Sequence, residues 1–126
     1  MKKIINTPMA PAPIGPYNQA VLVDNTLYVS GQIALDPTTG NIVDESIEDE
    51  THQVMKNLSE VLKAAGMNFS NIVKTSIFLD DMDSFARVNE VYGQYFEKDY
   101  PARETVAVRT LPKNVHVEIS VIAVFD

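Results

Sequence analysis

The chain has 126 residues, with 10 Lys and Arg against 17 Asp and Glu, a formal charge of −7. Apolar residues make up 45% and charged residues 21%, which excludes an intrinsically disordered chain and leaves room for one core, a single domain over residues 1–126. Cysteine is absent, which excludes disulfides, thiol nucleophiles, Fe–S clusters and zinc fingers, and the acidic balance disfavours a nucleic-acid backbone as partner.

Met1 to Ile5 reads as a short strand. The stretch Pro8 to Tyr17 holds Pro8, Pro11, Pro13, Pro16 and Gly15, and no helix survives it, because proline lacks a donor N–H and restricts its predecessor. It reads as a rigid loop lying on the domain and ending at Tyr17. Ala20 to Ser30 reads as a hairpin: Val21 and Val23 alternate, Asp24-Asn25 turns, and Leu27 and Val29 resume. Gly31 follows directly and permits close approach of a ligand or a bulge. Asp36 to Gly40 reads as a turn between two short strands.

The 3.6-residue spacing of Ile47, Val54, Leu58, Val61, Leu62 and Ala65 predicts a first helix over residues 47–65. Ser46 caps it with Asp49 at the capping-box offset, Glu48 to Glu50 suit its positive end, and Gly66 ends it. Ile72 to Leu79 reads as a strand. Asp83 or Ser84 caps a second helix with the stripe Phe85, Val88, Tyr92, Tyr95 and Phe96. Thr105 to Arg109 alternates as a strand, Leu111 to Asn114 turns, and Val117 to Phe125 is the strongest strand of the chain. This order predicts a two-layer α+β domain with two helices on one face of the sheet. The other face is apolar enough to need covering, which predicts a homo-oligomer. No apolar run approaches the roughly 20 residues of a membrane span, and no secretory signal precedes Pro8, so the expected location is the cytoplasm.

Two charged residues stand out. Glu118 sits in an apolar strand, on the face that runs from His116 through Ser120 to Ile122 and Val124. Arg103 follows Pro101-Ala102 at a strand start, where its guanidinium can meet a carboxylate through two parallel hydrogen bonds. By residue type alone, an exposed carboxylate and a surface arginine are the commoner readings. Asn89 reads as a surface residue of the second helix. His52 and His116 have no metal-ligand spacing and read as structural or solvated. The tyrosines of the helices read as core.

Taken together, the strings Ile14-Gly15-Pro16-Tyr17, Tyr28 to Ile33, Val73-Lys74-Thr75, Val88-Asn89, Tyr100-Pro101-Ala102-Arg103 and Val117-Glu118-Ile119 resemble the RidA/YjgF family of reactive intermediate deaminases. Ala64-Ala65-Gly66 matches the end of that family's first helix. The resemblance runs in order along the whole chain. It implies a chorismate-mutase-like α+β fold, with a six-stranded mixed sheet, two helices on one face, and a homotrimeric barrel with clefts between subunits. It implies hydrolysis of 2-enamino and 2-imino acids, such as 2-aminoacrylate and 2-iminobutanoate, to 2-oxo acids and ammonia, with neither cofactor nor metal. Under it, Arg103 binds the substrate carboxylate, and Glu118 positions water with help from Tyr17. Ser30, Gly31, Asn89 and Thr105 then line the cleft. Thr105 stands where many members carry Cys, and Ser120 where many carry a second acid. The alternative readings are a small-carboxylate (2-oxo acid) binding or regulatory protein without turnover, and a ribonuclease, which the charge disfavours.

Overall fold

The computed structural model describes residues 1–126, and its elements follow the expected order. They are β1 (Lys2–Ile5), β2 (Ala20–Val23), β3 (Thr26–Gln32), α1 (Ile47–Ala64), β4 (Ile72–Leu79), α2 (Phe85–Gly93), β5 (Ala102–Ala107) and β6 (Val117–Val124). All six strands join one sheet in the order β1-β2-β3-β6-β4-β5. Every pairing is antiparallel except β4 with β5, so the sheet is mixed.

Local chemistry explains the boundaries. Ser46 Oγ accepts the Asp49 N–H at 3.0 Å, and Glu48, Asp49 and Glu50 occupy the first turn of α1. The far end closes as a Schellman motif. Gly66 takes φ +77°, its N–H donates to Lys63 O, and the Met67 N–H donates to Leu62 O. In the β2–β3 hairpin, Asp24 supplies the positive φ. The Asp36–Gly40 turn closes a single bridge, Leu35 with Ile42, rather than two strands.

Three expectations shift. The second helix is capped neither by Asp83 nor by a Ser84 side chain; Asp81 Oδ1 accepts the Asp83 N–H at the start of a 3₁₀ turn, Met82–Ser84, that leads into α2. The helix ends at Gly93, so Tyr95 and Phe96 pack on the core from the segment after it. The strand expected over Thr105–Arg109 instead runs Ala102–Ala107, because β4 offers a parallel ladder from Lys74 to Leu79. Arg103 thus lies inside a strand, and Arg109 beyond its end.

Both helices cover one face of the sheet. Val54, Leu58, Val61 and Leu62 of α1 and Val88 and Tyr92 of α2 pack on Leu27, Val29, Ile77, Leu79, Val117, Ile119 and Ala123 in one core. On the opposite face Ile4, Tyr28 and Val106 are exposed and Phe78, Ile122 and Val124 only partly covered. Glu50, fully buried in α1, ties that helix to the sheet: it accepts the backbone N–H of His116 (2.7 Å) and of Val117 (3.1 Å), and His116 Nδ1 donates to its other oxygen at 2.7 Å. No helix is long and apolar enough to cross a membrane.

Candidate active site

The seven residues singled out in the sequence fall into two groups on opposite faces of the sheet. Arg103 is the Cα partner of Thr75, whose side chain is fully buried beneath α2, and Thr105 is the partner of Ile77 on the same side. Arg103, Thr105 and the α2 residue Asn89 therefore sit at the helix-covered face, on the edge strand. Glu118 lies between Val117 and Ile119, both fully buried toward the helices, so it points to the open face. Two strand positions, about 10 Å, also separate β5 from β6.

In the first group the guanidinium of Arg103 has no carboxylate partner in the chain. Its Nη1 donates to Asn89 Oδ1 at 2.7 Å. Its Cζ lies 5.2 Å from the ring centre of Tyr92 and 5.6 Å from that of Phe85. Asn89 is exposed, as its residue type leads one to expect, and also touches this guanidinium directly. Alongside is a cleft of about 440 Å³ lined by Asn89, Tyr92, Gly93, Tyr100, Pro101 and Arg103. Thr105 Oγ1 is buried with no hydrogen-bond partner, an uncommon state for a hydroxyl.

The second group is built around a bulge. Between Val29 and Gln32 the β3–β6 register slips, so Ser30 and Gly31 bow away from the ladder where Glu118 passes. A Cβ on Gly31 would lie 2.8 Å from Cδ of Glu118, so only glycine leaves room for that side chain. Ser30 is fixed by its Oγ donating to Asn18 O at 2.6 Å and its N–H donating to Gln19 O at 2.9 Å. These bonds seat the end of the proline loop, with exposed Tyr17 at its tip, next to the bulge. Gln19 pins the rest of that loop by donating to the carbonyls of Thr7, Ala10 and Pro11. Glu118 is half-buried and takes part in none of the ion pairs or side-chain hydrogen bonds of the molecule, and burial raises its carboxyl above the usual 4.5.

Chemically, the first group can grip a carboxylate. Four of the five guanidinium N–H donors are outside the Asn89 bond, and aromatic rings hold the plane. The second can hold or move a proton, because a desolvated carboxyl titrates closer to neutrality. The sequence reading missed Phe85 and Tyr92 as neighbours of Arg103. Their helical spacing marked them as core, and only the packing of α2 on β5 brings their rings to the guanidinium. Two other hollows, of about 640 Å³ beside α1 and about 470 Å³ beside residues 95–99, hold none of the seven residues. No group of His, Cys, Asp and Glu is arranged to hold a metal ion.

Residues 7–125 match the family described as Endoribonuclease L-PSP. The human protein named 2-iminobutanoate/2-iminopropanoate deaminase is 48% identical over 124 residues, covering 98% of this chain and 90% of that protein. A crystal structure of a Rid-family protein, YyfA from Yersinia pestis, superposes with a TM-score of 0.96 at 46% identity, covering 99% of this chain and 100% of that one. The crystal structure of E. coli TdcF with bound serine superposes with a TM-score of 0.94 at 40% identity, covering 98% of this chain and 99% of that one.

Proposed function

The chain belongs to the RidA/YjgF family, described also as Endoribonuclease L-PSP, and on that premise we propose that it is a 2-iminobutanoate/2-iminopropanoate deaminase. It hydrolyses small 2-enamino and 2-imino acids to the 2-oxo acid and ammonia. The enamine first tautomerises to the imine. Water adds to the C=N carbon, giving a carbinolamine, and loss of ammonia leaves the C=O bond. The protonated imine carbon is already electrophilic, so the protein has to hold the acid, place one water and move protons.

The observation that carries this reading is the Arg103 guanidinium, clamped by two rings and Asn89, free of any carboxylate of its own chain, and open to a cleft. It anchors the substrate carboxylate, with Thr105 two residues further along the same side of β5. The serine bound by TdcF is a small amino acid with the carboxylate this arginine would take. Glu118, raised by burial, orients the attacking water and relays its proton, with help from Tyr17 at the end of the proline loop and with Ser30 and Gly31 forming the wall.

Because Arg103 and Glu118 lie on opposite faces of one sheet, a site using both takes them from two copies. We place it between the subunits of a homotrimer whose apolar open faces turn inward. The family is also described as an endoribonuclease. A charge of −7 and a small cleft at a single arginine favour a small carboxylate over an RNA backbone.

The test is ammonia release from 2-iminobutanoate generated in situ by a threonine dehydratase, with wild type and Arg103→Ala. Acceleration by the wild type and its loss in a folded Arg103→Ala variant supports the reading. Binding of 2-oxobutanoate without turnover would replace it with a carboxylate-binding role.

A further inference from the structure

We propose that Tyr92 is a positioning residue for Arg103, with Thr75 locking its ring so that the guanidinium is held at the angle from which it grips an acid. The inference rests on the reading of Arg103 as the carboxylate anchor and adds the device that aims it.

The arrangement is compact. Thr75 and Arg103 are Cα partners on adjacent parallel strands, so their side chains leave the sheet side by side. Thr75 is fully buried, and Tyr92, reaching down from α2, is 4% exposed. The Tyr92 hydroxyl donates to Thr75 Oγ1 at 2.9 Å. Burial pushes the Tyr92 phenol up, so it remains protonated and able to donate. That bond fixes the position of the ring's hydroxyl end, and with it the tilt of the ring, whose centre lies 5.2 Å from the guanidinium carbon.

The rest of the clamp comes from the same face of α2. Phe85, Asn89 and Tyr92 are spaced 4 and 3 residues apart, so one helix stripe presents ring, carbonyl and ring to one arginine. Packing alone does not require the two hydroxyls. A Phe and a Val in their places would fill nearly the same volume with no polar group to satisfy. The pair instead fixes position, because the buried phenol keeps its partner only while the far end of the ring stays over Thr75. An arginine at a strand edge is otherwise free to swing about its long side chain, and a bidentate grip depends on the plane of the guanidinium.

The experiment uses Thr75→Val, Tyr92→Phe, their double variant and Tyr92→Leu, compared with wild type and Arg103→Ala. KM and kcat for 2-iminobutanoate hydrolysis and Ki for 2-oxobutanoate are read for each. We expect Thr75→Val and Tyr92→Phe each to raise KM and Ki about three- to tenfold, with kcat within about twofold. The double variant should be no worse than either single one, since both break the same bond. Tyr92→Leu, which also removes the ring face, should raise Ki by at least about tenfold. Thr75→Val keeps the side-chain volume, so it carries the test even if Tyr92→Leu fails to fold. Unchanged KM and Ki in Thr75→Val and Tyr92→Phe, a fall in kcat alone, or fully additive effects would overturn the positioning role while leaving the anchor intact. An Arg103→Ala variant with wild-type KM would remove the anchor itself, and the positioning role with it.

Discussion

Gly31 and Glu118 are fitted to each other across the β3–β6 ladder: a Cβ on Gly31 would come 2.8 Å from Cδ and 3.0 Å from Cγ of the glutamate. The bulge at Ser30-Gly31 and the direction of the carboxylate are thus one structural feature.

Gly31→Ala should therefore act through Glu118. The glutamate is the flexible partner and swings aside, so the variant stays folded, with a stability loss of about 1–2 kcal/mol at most. Its kcat should fall as far as that of Glu118→Gln, and the double variant should fall no further. Additive losses in kcat would show that Gly31 serves something other than the carboxylate.

Glu118→Gln should stabilise the protein at neutral pH while lowering its activity. Burial raises the Glu118 carboxyl above 4.5, so the folded state holds that proton more tightly than the unfolded state. Stability from this group is present below the unfolded value and declines as pH rises through the folded value. The amide carries no charge to desolvate, so its thermal midpoint should exceed that of the wild type at pH 7. The two should converge near pH 4. In the wild type, activity that uses the carboxylate form should fall on acidification at a pH above that of an unburied glutamate.

The Glu50–His116 tie predicts a pH dependence of the same sign in a higher pH window. The hydrogen bond to Glu50 raises the His116 imidazole above 6.5, with Asp80 and Asp44 adding to it and burial opposing it. The stabilisation is fully present below 6.5 and is lost as pH rises through the folded value. It is modest, because the imidazole is about half exposed. Thermal midpoints of wild type and His116→Asn should differ at pH 6 and draw together by pH 9. Glu50→Ala is a larger change, since it strands two backbone N–H groups. A loss of about 2–4 kcal/mol in urea unfolding is expected.

Subunits carrying Arg103→Ala and subunits carrying Glu118→Ala should each be inactive alone and regain part of the activity when co-assembled. In a mixed oligomer, some sites receive the intact arginine from one chain and the intact glutamate from another. Absence of any recovery in co-expressed, co-purified assemblies would place both groups' action within one chain. Ile122→Lys, which puts a charge on the open face, should lower both the oligomer mass measured by light scattering and the activity.

Arg103→Lys should not rescue Arg103→Ala. A lysine keeps the charge but loses the planar fork and its stacking on Tyr92 and Phe85. A fall of about tenfold to a hundredfold in kcat/KM is expected, corresponding to a charged hydrogen-bond pair.

Much of this architecture could be read directly from the residues. Apolar spacing located α1 to within one residue of its end, and Ser46 and Gly66 marked its limits, because capping is a local interaction between neighbours in the chain. The β-branched runs at Ile72–Leu79 and Val117–Phe125 identified two strands, the second one residue too long. Charge and composition excluded disulfides and disfavoured an RNA partner, and six strings in order carried the family resemblance. The parallel ladder that moved β5 three residues toward Pro101, the sheet that sets Arg103 and Glu118 on opposite faces, and the bond from Tyr92 to Thr75 were decided only in three dimensions. Strand order and cross-element contacts join residues far apart in the chain, and side-chain periodicity carries no record of which strand lies beside which.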